Sequence, residues 1–260
     1  MSKPSSFWFD KTVLITGASS GIGRGLAQHC VRAGARVGLI ARRSALLEEL
    51  AEELATELAA DATPQPQSNR PRCAWRAADV GNAEQMREAM LGLEAELGPC
   101  DVVIANAGIY RKTDGLDFDA NAANQVVVTN LQGVINAFAP VLPGMVQRRR
   151  GNLVAVTSLL AMLGYPGAAA YSASKAAVVR LMDCLRIDLH SQGIRVTTVC
   201  PGYVDTAMIT DHDRATVKSI VPVDVAARKI AKAIERGKAR CEFPRSLRLL
   251  IGLAGWLPEP

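Results

Sequence analysis

The chain has 260 residues and a mass of 27.7 kDa, enough to bury one large core, and its 49% hydrophobic but 5% aromatic content suits an aliphatic, sheet-centred interior. The net charge of +5 is modest and no basic stripe interleaves with aromatics, which excludes nucleic acid as a partner class. Cys30, Cys73, Cys100, Cys184, Cys200 and Cys241 show no CxxC or metal-ligand spacing, and His29, His190 and His212 are isolated. A disulfide framework and a metal site are therefore excluded, and a reducing compartment is expected. Met1 to Asp10 holds no long apolar region or cleavage signal, and the apolar stretch Leu249 to Leu257 is far short of the ~20 residues of a spanning helix. The expectation is a soluble, cytoplasmic protein.

Short apolar runs alternate with longer helical patterns along the whole chain. Val13 to Ile15 reads as a buried strand that stops at Gly17, and Ile22 to Ala33 as a helix ending at Gly34. Val37 to Ile40 is a second strand, and Leu46 to Leu58 carries leucines at helical intervals with glutamates opposite. Residues 61–72, rich in Pro, Gln and other polar types, read as a surface loop. Cys73 to Ala77 is a strand, Glu84 to Leu97 a helix, and Val102 to Ile104 a strand running into Asn106-Ala107-Gly108. Gln125 to Gln147 reads as one long helix kinked or tightened by Pro140 and Pro143. Leu153 to Val156 is a strand, Ala168 to Ser191 an Ala-rich helix, and Val196 to Val199 a strand broken at Pro201-Gly202. Val223 to Arg236 is a helix and Ala239 to Phe243 the last of seven strands. Strands joined by crossover helices predict an α/β fold, a doubly wound parallel sheet of about seven strands with helices on both faces. All 260 residues form one domain in this reading. Ligands of such sheets bind beyond the carboxyl ends of the strands, where the winding reverses.

The chemistry-bearing residues fall at those ends. Thr16-Gly17-Ala18-Ser19-Ser20-Gly21-Ile22-Gly23 follows the first strand and opens a helix. Glycines allow a tight turn and close approach to a pyrophosphate, which the helix N-terminus attracts. The spacing is Gly-xxx-Gly-x-Gly, not the broader Gly-x-Gly-xx-Gly fingerprint. The second strand ends in Ala41-Arg42-Arg43 with no carboxylate to accept from a ribose hydroxyl, and Arg24 offers a further cation. That chemistry favours NADP(H), with NAD(H) as the alternative. Tyr171 and Lys175, four residues apart, share a helix face. A phenol titrates near pH ~10, and a fixed cation one turn away is expected to lower that value enough for proton transfer.

With these residues assembled, the chain resembles the short-chain dehydrogenase/reductase family in its single-domain, Rossmann-like branch, over Thr12 to about Phe243. Thr16 to Gly23 matches the family's cofactor turn, with Gly17, Ser19, Ser20, Gly21, Ile22 and Gly23 at the binding positions. Asp79-Val80 resembles its adenine contact, and Asn106-Ala107-Gly108 the motif steadying the central strand under the cofactor. Pro201, Gly202, Val204 and Thr206 resemble the segment that touches the nicotinamide amide. Asn130, Ser158, Tyr171 and Lys175 match the catalytic tetrad. The resemblance implies that Tyr171 donates a proton to a carbonyl oxygen, that Ser158 orients that oxygen, and that Lys175 holds the ribose hydroxyls. Asn130 would anchor a water relaying a proton from Lys175.

The expected activity is NADPH-dependent reduction of a carbonyl, reversible as alcohol oxidation. Met162, Leu163, Tyr165, Tyr203 and Met208 hint at a hydrophobic substrate such as a 3-keto lipid, steroid or similar ketone. The substrate loop is placed at residues 203–219. Ala169, Ala170, Ala173, Ala176 and Ala177 would let catalytic helices of two subunits pack closely, giving a homodimer or homotetramer. The apolar and basic tail, residues 245–260, is expected to cover the cleft or another subunit in preference to a membrane interface. Cys200 is expected to be a small core residue rather than a reactive thiol. Two other readings are a protein that senses NADP(H) without turnover and a membrane-peripheral lipid ketoreductase.

Overall fold

Runs of Val, Ile and Leu without polar alternation become strands covered on both faces. The computed structural model describes residues 7–60, 70–217 and 219–254. Its strands are β1 (Thr12–Thr16), β2 (Arg36–Ala41), β3 (Cys73–Ala77), β4 (Cys100–Ala105), β5 (Gly151–Val156), β6 (Ile194–Pro201) and β7 (Arg240–Phe243). Every residue of β1, β2, β4 and β5 is buried. All seven strands are parallel, in the order β3-β2-β1-β4-β5-β6-β7. The winding reverses between β1 and β4, which pair through Ile15 and Ile104, so the ligand crevice is expected beyond these two ends.

Alternate residues of each strand feed two separate cores. Val13, Ile15, Val37 and Leu39 face α1 (Gly21–Arg32), α2 (Ser44–Ala60) and α9 (Val223–Glu235), against Leu26, Leu50 and Ile230. Leu14, Ile40 and Val103 face α3 (Ala83–Leu97), α5 (Gly133–Phe138) and α7 (Ala169–His190), against Met90, Phe138 and Met182.

The predicted single helix over 125–147 is a succession of pieces. It starts earlier, at α4 (Ala120–Val127), where Asp119 Oδ1 accepts from the amides of Asn121 and Ala122. A π-helical turn, Val128–Gln132, leads into α5, and a turn at Pro140 precedes α6 (Leu142–Arg148). Pro143 sits in the first turn of α6, where its missing N–H has no intrahelical role. Residues 120–148 are long and apolar enough to span a membrane by composition alone. The fold uses them as core, with α4 against α7 and α5 against α3 and β4.

Two segments read without secondary structure, 203–219 and the tail, contain helices. Residues 61–69 lie outside the described residues, but Arg72 anchors the end of that loop, its guanidinium donating to the carbonyls of Ala35 and Val31. The segment 203–219 contains α8 (Asp211–Thr216), closed by a capping box between Thr210 and Asp213; residue 218 is outside the description. The tail forms α10 (Arg245–Ala254), and 255–260 lie outside the description.

Trp8 pins the N-terminal segment to the first core. It is fully buried, stands edge-on to Phe7 at 4.9 Å, and donates from Nε1 to Glu235 Oε1 at 2.6 Å. Trp8→Ala is expected to cost about 3–5 kcal/mol of unfolding free energy. Urea titration checks this, and a loss below about 1 kcal/mol would show that the indole is not part of the cooperative core.

Candidate active site

The site begins where β1 and β4 are tied together. Thr16 is buried, and its Oγ1 accepts from the backbone amides of Asn106 at 3.0 Å and Ala107 at 3.1 Å. Asn106 Nδ2 returns two bonds, to the carbonyls of Thr16 at 3.0 Å and Gly17 at 3.2 Å. Gly17 turns the chain at φ +66°, and a Cβ there would lie 2.8 Å from Ala107 Cα. At Gly23 a Cβ would lie 2.3 Å from the Gly17 carbonyl oxygen, so α1 descends directly onto the turn. The first-turn N–H groups of α1 have no acceptor one turn back, and Ser20 at the N-cap makes no side-chain capping bond. This side-chain-free cradle at the positive end of a helix dipole fits the pyrophosphate of a dinucleotide. Thr206 closes it from the far side, since a Cβ on Gly21 would meet Thr206 Cγ2 at 2.8 Å.

Of the three arginines expected here, Arg43 contacts the glycine turn directly. Arg43 Nη2 donates to Ser19 Oγ at 2.9 Å and Ser20 Oγ at 3.1 Å. Arg42 is exposed and lies 3.8 Å from Asp79 Oδ2. Arg24 is ion-paired with Glu53 at 2.5 Å and Glu49 at 3.5 Å, both on α2. Asp79 Oδ1 accepts from the Gly81 amide, and Val80 is buried against Gly133, its carbonyl accepting from Asn136 Nδ2 at 2.7 Å. Ile22 packs into the first core beneath the turn. The Val204 side chain is buried in that core, and its backbone is bridged to Val221.

The residues expected to be catalytic converge beyond β5. Ser158 caps a 3₁₀ turn, Leu159–Met162, accepting from the Leu160 amide at 3.1 Å, and its hydroxyl is near enough to the Tyr171 phenol to favour the ionised form. Thr113 positions the start of α7 from a distance: its Oγ1 accepts from the Ala170 amide at 3.0 Å, and its own amide donates to Gly167. Tyr110 stands edge-on to Tyr171 at 5.5 Å, its hydroxyl donating to the Gly167 carbonyl. Lys175 Nζ donates to the Val156 carbonyl at 3.1 Å and lies 5.7 Å from the Tyr171 ring centre. Gly108 faces this group; a Cβ there would stand 3.2 Å from Lys175 Nζ and 3.3 Å from Asn130 Oδ1.

One expected effect changes. Burial dominates both members of the Tyr–Lys pair. It raises the Tyr171 phenol, which the nearby Ser158 hydroxyl only partly opposes, and it lowers Lys175 to about 8. Lys175 is not among the groups that move the phenol, and burial favours its protonated form. Asn130 is fully buried in the π turn, and its amide is engaged: Oδ1 accepts from Ile109 N at 2.8 Å, while Nδ2 donates to Ile109 O and Ser174 Oγ. It holds the strand end in place.

The family model for short chain dehydrogenases matches residues 11–216. The chain belongs to the short-chain dehydrogenase/reductase family. An oxidoreductase of Myxococcus xanthus is 37% identical over 96% of this chain and 94% of its own. Dehydrogenase/reductase SDR family member 7B of Bos taurus is 35% identical over 82% of this chain and 67% of its own. Oxidoreductase UcpA of Escherichia coli is 32% identical, with 88% and 85% covered. A solved structure described as a short-chain dehydrogenase, from Novosphingobium aromaticivorans, superposes with a TM-score of 0.81 at 22% identity. It covers 98% of this chain and 90% of its own, and it shares the fold.

The short-chain dehydrogenase site has a wall that sequence reasoning only partly named. Pro201 ends β6, and the Gly202 amide donates to the Phe243 carbonyl at 2.7 Å. A Cβ on Gly202 would lie 2.8 Å from Leu247 of α10, and Ile251 of the same helix is buried with Leu159 and Cys200. Burial raises the Cys200 thiol, which accepts a hydrogen bond from Thr157, so this cysteine is an unactivated core residue. Burial, with Tyr165 nearby, raises the Tyr203 phenol. Thr113, Tyr110 and Ser174 escaped the sequence reading; the contacts of Thr113 and Tyr110 join segments about 57 residues apart and leave no local pattern. Among the described residues no three His, Cys, Asp or Glu side chains converge as a metal site.

The Lys175 shift gives a pH test with a fixed sign. Its folded value, about 8, lies below the unfolded value of ~10.4, so the unfolded chain binds more protons between them and stability rises with pH across that window. Lys175→Met removes this contribution. Its unfolding free energy relative to the parent is expected to be most favourable below pH 8 and to fall as pH climbs toward ~10.4, as measured by urea titration at several pH values. A difference independent of pH would show that Lys175 is not held depressed.

Proposed function

We propose that the chain is an NADPH-dependent carbonyl reductase, reversible as a secondary-alcohol dehydrogenase, acting on a hydrophobic ketone. The observation that carries the cofactor preference is the bond from Arg43 to both serines of the glycine turn. It holds a guanidinium at the rim where the ribose of a dinucleotide seated in the cradle would lie. No carboxylate follows β2 to accept from a ribose hydroxyl. When bound, the cofactor supplies the hydride.

The chain's own residues supply the rest. Negative charge grows on the carbonyl oxygen as its carbon is reduced, and a neutral acid must meet it. Burial keeps the Tyr171 proton in place for that donation. Ser158 lies near the same locus and orients the oxygen. Lys175, lowered to about 8, exchanges protons readily near neutral pH and can recharge the phenol. Leu159, Met162, Leu163 and Leu247 form an apolar wall beside Ser158, which favours a lipid-like ketone over a charged one.

Exposed Val127, Val128 and Ile135 on the α4–α5 face, and Ile187 on α7, offer apolar surface to a second copy and support a dimer. Of the alanines expected at such a contact, Ala170 is covered within its own chain by Ala123 and Val126.

In a ketone panel assayed with both cofactors, NADPH is expected to outperform NADH in kcat/KM. Arg42→Ala combined with Arg43→Ala should shrink that ratio by about tenfold or more. Equal rates with both cofactors in the parent would overturn the preference. Tyr171→Phe is expected to lower kcat by about 10²–10⁴-fold while fluorescence titration shows little change in NADPH affinity. Retained turnover would remove the phenol as proton donor. Cofactor binding without turnover of any ketone by the parent would favour a sensing role.

A further inference from the structure

A second cleft, of about 720 Å³, lies away from the cofactor crevice, between α9, β7 and α10. Lys229, Lys232, Arg236, Lys238 and Arg245 line it, all exposed, and none makes an ion pair among the described residues. Two further arginines are engaged, Arg240 with Asp183 and Arg248 with Glu242. The cleft therefore carries five cations without compensation. Beside them, α10 turns Leu249 and Leu250 outward at 68% and 63% exposure, while Leu247 and Ile251 on the other side of the helix pack toward the active site. An exposed leucine pair within a ring of cations has an opposite-signed counterpart of one kind, an apolar layer bounded by anionic head groups.

We propose that the α9–β7–α10 face docks on an anionic lipid bilayer, with Leu249 and Leu250 entering the interface and the five cations meeting head groups. A second copy of the chain is a poorer occupant, because two-fold pairing would bring the same unpaired cations together. A nucleic acid would match the charge but gains nothing from two leucines and finds no exposed aromatic platform among the described residues of this face. The proposal is independent of turnover and is tested by binding alone.

Full-length protein is sedimented with vesicles of phosphatidylcholine, and with vesicles in which a third of the lipid is phosphatidylserine. Binding to the anionic vesicles only, released by high salt, is expected. Lys229→Ala, Lys232→Ala and Arg236→Ala together should weaken it about a hundredfold, at roughly fivefold per cation. Leu249→Ser with Leu250→Ser should also release the vesicles while leaving retention on heparin unchanged. Both variants are checked for unaltered unfolding midpoints and NADPH affinity. Failure of the parent to sediment with anionic vesicles overturns the proposal. So does a leucine variant that binds vesicles like the parent, which would mark a general polyanion surface. A concentration-dependent increase in mass abolished by the lysine and arginine substitutions would assign the face to a second copy instead.

Discussion

One buried hydroxyl joins the two strands between which the site must open. Parallel strands on either side of the winding reversal leave a crevice because their connecting helices depart to opposite faces. Nothing in that topology sets the width of the crevice. Here Thr16 accepts from two amides of the β4 extension, and Asn106 returns two bonds to the β1 turn. Four bonds across about 90 positions of chain fix the glycine turn against the strand that leads to Gly108. Gly17 and Gly23 are then the only residue type that fits, since each lacks room for a side chain.

The catalytic end depends on a different balance, between burial and hydrogen bonding. Tyr171 and Lys175 are nearly closed off from water, and burial disfavours a charge on either. The result is a protonated phenol beside an amine that titrates close to neutrality, a pairing suited to delivering a proton and then replacing it. Asn130 and Thr113 act one step back. The first fixes Ile109 and Ser174, the second fixes the opening turn of α7, and between them they orient the helix on which the reacting pair sits.

Much of this was legible in the sequence because it is local. The uniform apolar runs gave strands of nearly the right length, glycine spacing marked the turn, and Tyr171 four residues before Lys175 marked a helix face. The ion pairs of Arg24 were not legible because Glu49 and Glu53 lie on another helix, and a cation's pairing is a tertiary property. The predicted effect of Lys175 on Tyr171 rested on spacing, which sets proximity but not solvation. Solvation decided the direction. The π turn at 128–132 carries no composition signal, yet it places Asn130 where the strand end needs it. The interior of the segment 203–219 was unreadable as a whole, although Thr210 and Asp213 bear the spacing of a capping box.

Helix α10 belongs to two surfaces at once. Leu247 and Ile251 lean toward Gly202, Leu159 and Cys200, while Leu249 and Leu250 point away from the body of the protein. A tilt of this one cylinder that loosens the inner contacts must also reorient the outer pair. Whatever grips the outside and prefers one tilt thereby alters how tightly the inside holds its guest, and thermodynamic reciprocity requires the guest to alter the grip by the same factor.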